Sequence, residues 1–196
     1  MHRWLRQLPN VVTTIRILLV IPIAIALLHG DLITTLGLFF VAAGSDLVDG
    51  FLAKHFGWQS GIGALLDPAA DKILLGAVFV VLAVLQLVPL WLVATAVLRD
   101  LIIVAGAIVY RVCIGPITAR PSAVSKFNTL CQGFFIMCVI GRAEFAIPAA
   151  WIVTALGALT FVTTVVSGID YGLTHGRAAL DYARSRRGGA RAGSLP

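Results

Sequence analysis

Asp46 and Asp49 stand three residues apart, and Asp67 and Asp71 four apart, in a stretch that carries four of the chain's nine acidic residues. On a helix, spacings of three and four put each pair on one face. If the two helices form an antiparallel hairpin, the end of one meets the start of the next and the four carboxylates converge. An ionised carboxylate at the centre of a membrane helix costs roughly 2.5–3.5 kcal/mol, and four together repel one another. Hard divalent cations, Mg²⁺ or Mn²⁺, offset that cost best, because oxygen ligands suit them and the chain offers no Cys/His set for zinc. Two such ions can clamp a pyrophosphate and stabilise both the attacking and the leaving oxygen. Gly50, Ala53 and Gly63 are small enough to let a nucleotide or diphosphate approach the backbone. The plainer alternative is an N-cap at Asp67 with Pro68 in the first helical position, and helix ends at Asp46 or Asp49.

Arg16, Arg99 and Lys126 lie inside apolar segments, where a cation faces a polar cavity or pairs with an acid, so each is a candidate phosphate ligand. Arg99 and Asp100 are alternatively a structural pair, and Arg16 and Lys126 alternatively snorkel to an interface. Lys72 directly follows Asp71 and either neutralises the acidic cluster or contacts phosphate. His55 is a lone loop histidine and receives no catalytic role. Cys113, Cys131 and Cys138 have neither paired spacing nor a histidine companion and are expected as small core residues.

The elements that must position these groups follow from composition. Of 196 residues, 59% are apolar and 12% charged, a balance for which the bilayer is the natural solvent. Six apolar segments, Val11–Leu28, Leu32–Ala53, Ala64–Leu87, Pro89–Val112, Ser122–Ile140 and Pro148–Tyr171, each approach the roughly 20 residues that a spanning helix needs. Their continuous apolarity excludes a barrel of alternating strands. The expected fold is all-α and polytopic, with six transmembrane helices and sequential helices as antiparallel neighbours. The basic N-terminus is taken to lead into the first of these helices and not into a cleaved signal peptide.

Arg3, Arg6, Lys54, Arg111, Arg120, Lys126 and the five arginines from Arg177 to Arg191 fall on one side, which predicts both termini in the cytoplasm. Residues 1–182 are expected as the membrane domain and 183–196 as a flexible basic tail. Trp4, Trp58, Trp91 and Trp151 sit near helix ends, as interfacial belts do. The formal charge of +6 is spread over tails and short loops, which suits lipid headgroups and, without a basic face, excludes nucleic acid.

The span from Asp46 to Asp71 resembles the signature of the CDP-alcohol phosphotransferases, D-x2-D-G-x2-A-R-x8-G-x3-D-x3-D. Every fixed position and spacing matches except Lys54, which stands where arginine is usual and lacks its planar fork. The Pro-Asn-x-x-Thr-x-x-Arg pattern ending at Arg16 is similar to that family's first helix. The resemblance implies six membrane helices, cytoplasmic termini, a cytoplasm-facing site and a homodimer. It also implies Asp46, Asp49, Asp67 and Asp71 as ligands of two metal ions, Asp71 as general base, and Gly50, Ala53, Lys54 and Gly63 along the CDP site. The implied reaction is attack by an acceptor hydroxyl on the phosphorus of CDP-diacylglycerol, with CMP leaving.

Ser125-Lys126-Phe127-Asn128-Thr129-Leu130-Cys131-Gln132 is similar to the S-K-x-N-T-x-x-Q stretch of the cardiolipin synthases of that family, which implies phosphatidylglycerol as acceptor. Glycerol 3-phosphate, the acceptor of phosphatidylglycerophosphate synthases, is the alternative. The bacterial cytoplasmic membrane is the expected location. A cation transporter is the competing non-enzyme function, disfavoured because the aspartates sit at adjacent helix ends and not on distant helices at the midplane.

Overall fold

The computed structural model of the chain describes the backbone of residues 8–56, 63–113 and 122–192, and the side chains of 14–45, 70–106 and 122–174. Six helices follow in chain order: α1 (Leu8–Leu28), α2 (Leu32–Phe56), α3 (Gly63–Val84), α4 (Leu90–Cys113), α5 (Ala123–Phe145) and α6 (Ala150–Ala192). Among the described residues there is no strand. The expected segments match these helices closely at most ends. α6 is drawn as helix through residues 183–192.

Local chemistry sets the helix ends. Gly30 adopts φ +76° after α1, a conformation that costs glycine little. Asp31 then caps α2, its carboxylate accepting from the Thr34 N–H at 3.1 Å. Ser122 caps α5 by accepting from the Ser125 N–H. At the far end of α5, Ala146 is left-handed and its N–H donates to the Arg142 carbonyl. Arg142 also donates to the Pro148 carbonyl at 3.0 Å, which ties the short turn into α6.

The turns at 29–31, 85–89 and 146–149 make α1·α2, α3·α4 and α5·α6 neighbours, as expected, whereas α2·α3 and α4·α5, also expected as neighbours, make no contact among the described residues. The described residues add pairings with no sequential cue: α1 packs on α3, α4 on α6, and α5 on both α2 and α3. Toward the turn-bearing end the interior is apolar, built from Ile23 and Leu27, Phe39 and Ala42, Leu74, Val78, Phe79 and Leu82, Leu92, and Phe135, Ile136 and Ile140. Phe79 and Phe135 stack at 6.2 Å between centroids.

The α5/α6 interface keeps one antiparallel register. Arg99 Nη2 bridges Ser125 on α5 and Ser167 on α6, Asn128 faces Thr163 and Thr164, the Cys131 carbonyl faces the Thr160 hydroxyl, and Phe135 lies over Gly157, so contacts recur at steps of three or four residues on both helices. Gly157 allows a close approach: a Cβ there would lie 3.2 Å from the Phe135 ring, so the ring would have to give by a few tenths of an ångström. Spacing of this kind produces the shallow left-handed crossing typical of helix pairs.

Large apolar side chains point outward on every helix, for example Leu18, Phe40, Val84, Leu98, Leu130 and Ile169, a surface suited to hydrocarbon. Ala123–Phe145 and Ala150–Thr174 are long and apolar enough to cross a membrane, and Thr14–Leu28 and Leu32–Ser45 are shorter apolar runs. Trp91 and Trp151 are exposed at the starts of α4 and α6, where interfacial tryptophans belong. Cys131 and Cys138 are half-buried. Cys113, Trp4, Trp58 and His55 fall outside the described side chains.

Hydrogen bonds from the Thr34 hydroxyl and then its backbone N–H hold the Asp31 carboxyl below its ordinary value. Its capping contribution is therefore complete above the unfolded-state value, near pH 4, and is lost as pH falls through the lower folded-state value. Unfolding followed in detergent from pH 7 to pH 3 is expected to show the advantage of wild type over Asp31→Ala constant at neutral pH and shrinking at the acid end.

Candidate active site

α3 begins at Gly63, so Asp67 is its fifth residue and not its cap. α2 continues to Phe56, so Asp46 and Asp49 lie within it and do not mark its end. Both aspartate pairs are thus on continuous helical backbone, where their spacing assigns each pair to one face. The side chains of Asp46, Asp49, Ala53, Lys54 and Asp67 lie outside the described residues, as do the surroundings of Gly50 and Gly63.

Asp71 is described. Its carboxylate receives Arg16 Nη1 at 2.7 Å. The arginine is 2% exposed and the aspartate 28%, so a nearly dry guanidinium holds an acid that a ligand can reach. Arg16 is the ninth residue of α1 and Asp71 the ninth of α3, which places the pair at one level of the bundle. Of the alternatives weighed for Arg16, pairing with an acid is realised and snorkelling is not.

The next residue on α3 turns to a different helix. Lys72 Nζ donates to Asp100 Oδ1 at 2.9 Å, and the same oxygen receives Arg99 Nη1 at 2.5 Å. Arg99 is 4% exposed; its Nη2 donates to Ser125 Oγ at 2.8 Å and also to Ser167 Oγ. Two ion-pair clusters therefore lie side by side on α3: Arg16–Asp71 joins α1 to α3, and Lys72–Asp100–Arg99 joins α3 to α4 and ends on two hydroxyls of α5 and α6. Arg99 Nε is buried and has no hydrogen-bond acceptor. Lys126, the fourth residue of α5, is exposed and stands outside this network.

Next along α5, Asn128 Oδ1 faces the Thr163 and Thr164 hydroxyls, each at 2.9 Å. Asn128 and Gln132 are 0% and 2% exposed, and the amide nitrogen of each lacks an acceptor. Ser167, Thr163 and Thr164 were not singled out from the sequence. Small hydroxyls in an apolar helix usually bond back to their own backbone, and only the repeat of their spacing opposite Ser125 and Asn128 marks them.

Among the described residues no three His, Cys, Asp or Glu side chains gather into a metal site. By donor chemistry Asp71 fits a hard cation: it is a carboxylate, partly exposed, and held in orientation by Arg16. An apolar cleft of about 580 Å³, lined by residues such as Val84, Gln86, Leu90 and Val93, lies at the opposite end of the bundle and offers nothing to a phosphate.

Residues 6–166 match the sequence profile of the CDP-alcohol phosphatidyltransferase family. A human cardiolipin synthase (CMP-forming) is 28% identical over 84% of this chain and 60% of its own length. A chloroplastic CDP-diacylglycerol–glycerol-3-phosphate 3-phosphatidyltransferase from rice is 31% identical over 71% of this chain and 48% of its own. A probable phosphatidylglycerophosphate synthase of Mycobacterium tuberculosis is 30% identical over 84% of this chain and 79% of its own. The chain thus spans about half to four fifths of the length of these relatives.

Replacing Asp100 by leucine strands Lys72 and Arg99 together. Unfolding in detergent is expected to register a loss of about 3 kcal/mol, with glutamate at the same position recovering most of it.

Proposed function

Because the chain belongs to the CDP-alcohol phosphatidyltransferase family, we propose that it is an integral-membrane enzyme that transfers a phosphatidyl group from CDP-diacylglycerol to a glycerol-type alcohol. The observation that carries this is the Arg16-held carboxylate of Asp71, standing at the last position of the signature that begins at Asp46.

In the proposed reaction the acceptor hydroxyl forms a bond to the phosphorus bearing diacylglycerol, the bond from that phosphorus to CMP breaks, and Asp71 takes the hydroxyl proton. Arg16 fixes the orientation in which that carboxylate meets the acceptor. Asp46, Asp49, Asp67 and Asp71 hold two divalent cations, Mg²⁺ or Mn²⁺, which supply charge neutralisation at the diphosphate when bound. Gly50, Ala53, Lys54 and Gly63 line the nucleotide site. Arg16, Arg99 and Lys126 are the phosphate-side cations, and Arg99 Nε, buried without an acceptor, has a donor to offer a phosphate oxygen.

All six helices span the bilayer in this proposal, with both termini and the site on the cytoplasmic side of a bacterial membrane and the chain assembled as a homodimer. The membrane domain comprises residues 1–182, and the basic segment 183–196 lies beyond it.

Phosphatidylglycerol is the proposed acceptor, supported by the 125–132 stretch and by relatives named cardiolipin synthase. Glycerol 3-phosphate is the second reading, favoured by relatives named for that reaction. Protein purified into nanodiscs with CDP-diacylglycerol is expected to release CMP only with Mg²⁺ or Mn²⁺ present, and with phosphatidylglycerol in preference to glycerol 3-phosphate. Asp71→Asn is expected to lower the rate by about 10²–10⁴-fold. Preference for glycerol 3-phosphate would move the chain to the second reading. Failure of folded protein to release CMP with any alcohol, coupled with cation flux in liposomes, would replace the enzyme by a transporter.

A further inference from the structure

Two buried amides have donors that the fold does not satisfy. Asn128 and Gln132 are 0% and 2% exposed, and neither Nδ2 nor Nε2 has an acceptor. An unsatisfied buried polar group costs about 1–3 kcal/mol, and here two stand one helical turn apart in a single seam. The residues around them do not remedy this. Thr163 and Thr164 already face the Asn128 oxygen, and Thr163 also lies within bonding distance of the Thr160 carbonyl. The Thr160 hydroxyl is turned toward the Cys131 carbonyl. Turning the Asn128 amide over only exchanges the end left without a partner, from nitrogen to oxygen.

A ligand that satisfies either end must both donate and accept, which is the property of a hydroxyl. The seam is lined by threonine hydroxyls and a thiol, with no charge of its own, so a full charge placed there would be desolvated without compensation. The nearest cation is Arg99, bonded to Ser125 and Ser167 at the seam's end. From Ser125, Asn128 and Gln132 lie about 4.5 and 10.5 Å further along the helix axis. The seam thus starts at the Lys72–Asp100–Arg99 cluster, whose Lys72 directly follows Asp71 on α3, and leads away from it through uncharged hydrogen-bonding groups.

We propose that Asn128 and Gln132 form a subsite for the uncharged hydroxyls of a polyol acceptor, with Arg99 at its charged end. The assignment rests on the phosphatidyl-transfer function proposed above and adds the residues that recognise the acceptor. The hydroxyl chemistry has two sources, the acceptor itself or resident water, and they differ in what the amides do to acceptor binding.

Full-length protein in nanodiscs is compared with Asn128→Ala and with Gln132→Leu, which keeps the side-chain volume and so guards against a variant that fails to fold. CMP release is measured with donor and acceptor varied independently, and the unfolding temperature is read with short-chain phosphatidylglycerol or glycerol 3-phosphate in the absence of donor. The expected result is an acceptor KM raised about tenfold in each variant, an unchanged donor KM, and loss of the acceptor-induced thermal shift seen in wild type. Unchanged acceptor KM and thermal shift in both variants would assign the amides to resident water and overturn the subsite. Donor and acceptor KM rising together would overturn it in favour of a packing role. If wild type released no CMP but its acceptor-induced shift disappeared in the variants, the reaction would fall and the subsite would stand. An acceptor that shifted nothing in an inactive wild type would overturn both.

Discussion

A charge removed from water must be paired or it must not be there, and five charged side chains of this bundle obey that constraint together. Arg16 pairs with Asp71, and Asp100 takes both Lys72 and Arg99, so each of these carboxylates is covered by at least one cation. Removing one member leaves its neighbour exposed to the full cost of burial. The two clusters tie α1 to α3, and α4 to α3, α5 and α6.

α3 distributes this constraint. Successive residues on a helix point about 100° apart, so Asp71 reaches α1 while Lys72 reaches α4. The bundle's length is divided accordingly: the half near the turns is filled by Phe79, Phe135, Ile136 and their neighbours, and the half near the helix starts of α1, α3 and α5 is polar. A dry, close-packed half gives the polar half a rigid base.

The helices themselves were legible because apolar runs interrupted by Gly, Pro and Asp are enough to delimit them, and the family was legible because a signature of fixed spacing is a local signal. The partners were not. Arg16 and Asp71 are 55 positions apart, and nothing local says which of several acids an intramembrane arginine will meet. The contacts of α1 with α3 and of α4 with α6 are likewise tertiary, since short turns announce only sequential neighbours. Ser167 and Thr164 pass for filler until the opposite helix is known.

The matched spacing of α5 and α6 limits how this sequence can change in length. One residue inserted between Ser125 and Phe135 would rotate all that follows by about 100° and set Phe135 against a position that has no Gly157. The same holds for Gly157 to Ser167 on the other strand of the seam. Substitutions can be absorbed there one at a time, whereas insertions and deletions are confined to the 146–149 turn and to the stretch of α6 past Ser167. Natural variants of this chain should differ in length at those places and keep the count between them constant.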